Sequence, residues 1–168
     1  MIAVSNTSPL IVLSKTGYIK HLRKLFRRIW IPRSVKLEIF RKNDQTRAKI
    51  EKLIKQEFIE IKMIKNTSLA HILNMELGIG ESEAIVLGME TKSDYVLLDD
   101  LKARLYARSF RINVTGTLGI VIALVKKEII KEKPDKIYKS LKSADFWISK
   151  ELFFKAFDSP QAQAFLGD

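Results

Sequence analysis

The amino-acid sequence predicts a three-layer α/β/α fold: a mostly parallel, five-stranded sheet with helices on both faces. Three observations carry that expectation. Five short apolar runs of strand character alternate with segments whose apolar residues recur at helical spacing. Helical crossovers between successive strands make their pairing parallel. The fourth run, DYVLL at 94–98, is almost wholly apolar, as in a strand covered on both faces. A chain of 168 residues can bury one sizeable core. Residues 1–168 are therefore expected to form a single domain, with helices from about 131 to 168 packed on its exterior.

The elements follow in order. The first strand, Ile2–Ser5, stops at the polar quartet Ser5, Asn6, Thr7 and Ser8. Pro9 suits a first helical turn and Ser8 can cap it, so a helix is expected from residue 9. Residues 18–26 set Ile19, Leu22, Leu25 and Phe26 at helical spacing among basic residues. RIWI at 28–31 is the second strand, stopped by Pro32. RSVKLEIF at 33–40 reads as a helix, although its alternation also mimics a strand. A clearer helix spans 46–56, and FIEIKM at 58–63 alternates with period two, giving the third strand.

Asn66, Thr67 and Ser68 then open a short helix ending near Gly78. GESEAIVLGME at 80–90 is a helix with acids in its first turn, where they suit the dipole. After the fourth strand, Asp99 and Asp100 lead into a helix over 101–110. The fifth strand is placed at 112–114, a turn at 115–117 and a helix at 118–127. Helices over 131–142 and 150–157 complete the chain. Its last aromatic stretch, with Phe146, Trp147, Phe153, Phe154 and Phe157, is expected to cover the core rather than serve an interface.

Composition narrows the function. Without cysteine there is no disulfide scaffold, thiolate metal site or thiol nucleophile. No basic segment precedes the first apolar run, so no secretory signal is expected, and no apolar run reaches the roughly 20 residues of a membrane span. A soluble, cytoplasmic protein is expected. The 30 Lys and Arg against 19 Asp and Glu give a formal net charge of +11. Such a surplus favours polyanions, nucleic acid above all, over a surface whose charges serve only solubility and ion pairs.

In an open parallel sheet, ligands bind outside the carboxyl ends of the strands, where strand order reverses. Asn6 follows the first strand; Asp99 and Asp100 follow the fourth. If these strands are neighbours, the three residues face one crevice, and the acids that open the helix at 80 reach the same rim. Glu81 and Glu83 are two apart, about 200° around a helix, so one points inward. Glu83, two residues ahead of the apolar Ile85, is expected inward and Glu81 is expected to cap. Converging acids with oxygen-only donors suit Mg²⁺ or Mn²⁺, which activate water and stabilise a phosphodiester transition state. The structural alternative is that Asp99 and Asp100 form only an Asx turn or helix cap. GIGESE at 78–83 lacks the spacing and the lysine of a phosphate-binding loop.

Five stretches together carry a resemblance: VSNTSPLI at 4–11, IPRSVKLEI at 31–39, GIGESEAIVLG at 78–88, VLLDDLKAR at 96–104 and VTGTLGIV at 114–121. The chain resembles the PIN-domain family, specifically its VapC-toxin-like (PilT N-terminal-like) branch of archaea and bacteria. The resemblance implies a metal-dependent ribonuclease fold with a five-stranded parallel sheet and an acidic cluster at its carboxyl edge. Carried over by position, it makes Asn6, Glu38, Glu83, Asp99 and Asp100 the catalytic set, with Asn6, Glu83, Asp99 and Asp100 as metal ligands. Arg104, one turn after Asp100, pairs with the cluster, meets a phosphate, or is a plain surface arginine. RNA, a cognate antitoxin and a second copy of the chain are the implied partners. One position departs from the pattern: Asn6 stands where active relatives carry aspartate, so one charge is missing and metal affinity should fall. The alternative to a ribonuclease is accordingly a PIN-like module that binds nucleic acid or a partner without cutting.

Overall fold

The computed structural model describes residues 1–159. Its strands are β1 (Ile2–Ser5), β2 (Arg28–Pro32), β3 (Ile59–Lys62), β4 (Tyr95–Leu97) and β5 (Val114–Thr115). They lie in the order β3-β2-β1-β4-β5, all parallel, with Ala3 of β1 opposite Ile29 on one side and Tyr95 on the other. Helices α1 (Thr7–Lys15), α2 (Arg33–Phe40), α3 (Gln45–Lys55), α4 (Thr67–Asn74) and α5 (Ile79–Thr91) connect or flank the strands up to β4. Helices α6 (Leu101–Ser109), α7 (Thr117–Lys126), α8 (Pro134–Ser143) and α9 (Lys150–Asp158) follow it.

Strand periodicity divides the interior. Ala3, Ile29, Ile31 and Leu97 feed one apolar core, while Val4, Val96 and Leu98 point to the other face and join Ala84 to Leu87 of α5. The central strands β1 and β4 are buried on both sides for that reason. Among the described residues no helix is long and apolar enough to cross a membrane.

Two expectations need correction. Helix α1 begins at Thr7, capped by the Asn6 side chain and not by Ser8. Residues Tyr18–Lys24 form a 3₁₀ helix, entered through Gly17 at φ 79°, a left-handed turn that favours glycine. Ile137, Leu141 and Phe153 are fully buried in the same core as Leu13 and Ile31, and the Phe153 ring packs on Phe157 at 4.6 Å. Within the aromatic stretch Trp147 is the exception, 87% exposed. The expectation for residues 160–168 lies outside the described residues.

Candidate active site

Strand order reverses at β1, whose neighbours β2 and β4 lead away in opposite directions. The loops after β1 and β4 therefore flank a crevice, as such a reversal requires. Asn6 continues the ladder beyond β1, its N–H donating to Leu97 O at 3.1 Å. The residue is buried, 2% exposed. Its Oδ1 accepts from Thr7 N at 2.6 Å, satisfying a first-turn amide of α1 that no carbonyl within the helix can reach. That bond settles the amide's orientation, because only the oxygen can accept. The Nδ2 group is left to donate to Glu81 Oε1, at 2.8 Å. Gly80 permits the approach: a Cβ there would stand 2.7 Å from Asn6 Oδ1.

Glu38, exposed on α2, accepts from Thr7 Oγ1 at 2.7 Å. It shares with Asn6, Ser34, Arg41 and Glu81 a recess of about 360 Å³. A larger recess of about 650 Å³ lies alongside, and Glu81, Asp99, Asp100, Arg104 and Trp147 are among its walls. Glu81 borders both.

Asp99 is half-buried, and each of its oxygens is held by Thr117: Oδ1 accepts from Thr117 N and Oδ2 from Thr117 Oγ1, both at 2.7 Å. Burial raises the Asp99 pKa above the ordinary carboxylate value, against the lowering pull of the Thr117 bonds and the Arg104 charge. Gly116 lets this loop close, since a Cβ there would meet Asp99 Oδ1 at 2.6 Å and Leu98 O at 2.8 Å. Asp100 caps α6, its Oδ1 accepting from Ala103 N at 2.7 Å. Arg104 donates to the backbone oxygen of Asp99 at 3.0 Å, so its guanidinium braces the cluster from behind.

Glu83 lies elsewhere. Its Oε2 accepts from Ser34 N at 3.2 Å and Ser34 Oγ at 2.6 Å. It thereby caps α2 from another helix, where Pro32 has no side-chain donor or acceptor to offer. The expected assignment is thus reversed: Glu81 reaches the rim and Glu83 caps. The reason is that α5 is buried almost all round, from Ser82 through Gly88, apart from Glu83 itself. An apolar neighbour such as Ile85 then marks no particular side as inward. The sequence did carry a usable signal, the glycine at 80, which lets the start of α5 crowd against Asn6 at the end of β1.

Asn6, Glu38, Asp99 and Asp100 therefore line the two recesses and Glu83 lines neither. Among the described residues no group of three or more His, Asp or Glu side chains stands close enough to hold a metal by itself. The donors are nonetheless all hard oxygens, and Mg²⁺ is commonly held by only one or two carboxylates, water and a substrate phosphate. Glu81, with Asp99 or Asp100 across the larger recess, fits that second kind of site. Asn6 lines the smaller recess and not the larger; its Oδ1 accepts from Thr7 N and keeps a second lone pair, while its Nδ2 donates to Glu81 and is no ligand.

Residues 2–160 match a family model described as a PIN domain. No curated protein matches the chain.

Proposed function

The chain belongs to the PIN-domain family, and on that premise we propose that it is a divalent-metal-dependent endoribonuclease. PIN domains are generally nucleases and generally use divalent metals. The observation that carries the reading is the larger recess, where Glu81, Asp99 and Asp100 meet Arg104 at the reversal point of the sheet.

Glu81, Asp99 and Asp100 would hold Mg²⁺ or Mn²⁺ beside a phosphate. A bound ion of this kind supplies positive charge to the phosphoryl oxygens and lowers the pKa of a coordinated water. The chain's own residues do the positioning. Asn6 donates to Glu81 and orients it, Thr117 holds both oxygens of Asp99, and the Arg104 charge favours the ionised form of Asp99. Glu38, tied to Thr7, extends the acidic wall into the smaller recess. The surplus of +11 supports RNA as the substrate. In this reading the chain is of the VapC-toxin-like branch, works in the cytoplasm as a homodimer, and is silenced by a cognate antitoxin.

A second reading is favoured by one specific bond. The Asn6–Glu81 hydrogen bond satisfies Glu81 without a cation, which suits a module that binds RNA and does not cut it. Incubating RNA with Mn²⁺ separates the two. The ribonuclease reading expects cleavage by the wild type, none by Glu81→Gln, and more by Asn6→Asp. Silence from both the wild type and Asn6→Asp, with salt-sensitive RNA binding intact, leaves the binder.

A further inference from the structure

The carboxyl end of α1 opens onto a second cleft that the acidic crevice does not use. It has a volume of about 400 Å³, floored by Ile19 and Leu53 and walled by Lys20, Arg23, Lys49 and Lys52. No acid lines it. Among the described residues none of these four cations forms an ion pair, although seven other pairs occur on the surface.

The cations stand on facing elements. Lys49 and Lys52 are three apart on α3, on one helical face. Lys20 and Arg23 are three apart on the 3₁₀ helix, where that spacing stacks side chains directly. Two of the four are fixed by neutral partners that leave the charge in place. Arg23 donates to Gln56 Oε1 at 2.9 Å and lies over the Phe58 ring, and Lys49 donates to Ser14 O at 2.8 Å. A further recess, with Arg41 and Lys42 in its wall, lies between the site and this end of α1. It shares Glu38 and Arg41 with the smaller recess of the candidate site.

We propose that this cleft binds the phosphate backbone of single-stranded nucleic acid, holding the part of the strand that extends beyond the acidic crevice. Two short rows of cations without carboxylates fit a polymer with one negative charge per repeat, and lysine recognises a phosphate as a point charge. Position favours nucleic acid over an acidic protein. The cleft lies one helix length from the crevice, about 13 Å for the nine residues of α1 at 1.5 Å each, and the recess between them sets Lys15, Arg41 and Lys42 beside Glu38 and Asp44. The inference rests on the nuclease reading for its choice of polymer, but not on cleavage taking place.

The test is binding of a short, fluorescently labelled, unstructured RNA in EDTA, where cleavage does not interfere, at several salt concentrations. The variants are Lys20→Glu/Lys52→Glu and a charge-matched control outside the cleft, Lys127→Glu/Lys139→Glu, each checked for unchanged thermal unfolding. The cleft variant should weaken binding about tenfold or more at low salt. Its slope of log affinity against log salt should drop by about 1.4, two contacts at 0.7 each. The control should keep the wild-type slope. Equal losses in both variants, no loss in the cleft variant, or equally good displacement of the RNA by polyglutamate would overturn the proposal. Cleft-dependent binding with no Mn²⁺-dependent cleavage by the wild type would sink the nuclease reading and leave the cleft standing. Cleavage with indifferent cleft variants would do the reverse.

Discussion

The two ends of α1 carry opposite chemistry. At its amino end stand Asn6, Glu81 and Glu38; at its carboxyl end stand Lys49 and the cations of the second cleft. Both arrangements suit the helix dipole, which favours anions at the first turn and cations at the last. Charge placement alone therefore does not distinguish structure from function. Partnering does. Each acid near the crevice already accepts a hydrogen bond: Glu81 from Asn6, Glu38 from Thr7, Asp99 from Thr117 and Asp100 from Ala103. The cleft's cations keep most of their donors free of protein partners. The acids are held by the chain's own donors, while the cleft's cations keep donors to spare.

The largest expected effect breaks the symmetry between two acids two residues apart. Glu81→Gln should lower Mn²⁺-dependent RNA cleavage by about a hundredfold or more, since one metal-binding carboxylate accounts for several kcal/mol of transition-state stabilisation. Glu83→Gln should leave cleavage within a few-fold. Its cost should appear in urea denaturation instead, about 1 kcal/mol, as for other lost helix caps. Similar cleavage by the two variants would contradict the assignment.

Asn6→Asp sharpens the same contrast. It replaces the bond to Glu81 with two carboxylates in contact, so the variant should unfold at lower temperature in EDTA. Mn²⁺ should restore much of that loss and bind about tenfold more tightly than to the wild type, read by calorimetry, because an ion that binds only the folded state stabilises it. A variant indifferent to Mn²⁺ would show that the crevice takes no cation.

Gly116→Ala should destabilise the fold by about 1–3 kcal/mol, the usual cost of forcing extra atoms into a packed site. The new Cβ meets Leu98 O, a backbone atom that cannot swing aside, as well as Asp99. Wild-type stability in this variant would mean that the loop after β5 gives way easily.

The smallest effect concerns Asp99. Its folded pKa is raised, so stability is greatest with the carboxyl protonated and is lost as pH rises through that value. Asp99→Asn keeps both Thr117 bonds, with its amide donating to Thr117 Oγ1, and removes the buried charge. Thermal unfolding near neutral pH should rise by about 2–4 °C, and the gain should shrink as pH falls and wild-type Asp99 takes up its proton. An unchanged or lowered midpoint would mean that the carboxylate is better solvated than its burial indicates.

Much of this architecture was legible in the residues. The period-two run at 58–63, the polar stop at Asn6 and the proline after RIWI mark strands that the structure places within two residues. The shared crevice of Asn6, Asp99 and Asp100 was legible only on the condition that the first and fourth strands are neighbours, which the sheet order supplies. What was not legible depends on distant neighbours. Ser8 is as good a local cap as Asn6, and only the position of Thr7 against the end of β1 decides between them. Glu81 and Glu83 are distinguished by contacts to β1 and α2, whose positions the periodicity of a fully buried helix does not encode. Trp147 belongs to an aromatic stretch that otherwise packs inward, and it lies in the irregular segment between α8 and α9, where no periodicity marks a face. The basic cleft draws its cations from two segments about 30 residues apart in sequence, so only the packing of α3 beside the 3₁₀ helix reveals it.

The most direct measurement is anomalous scattering from crystals holding Mn²⁺ and a short strand with a cleavage-resistant phosphate. The account predicts manganese bound to Glu81 together with Asp99 or Asp100, against that phosphate, while Glu83 stays on Ser34. Manganese at Glu83, or none touching Glu81, would contradict it.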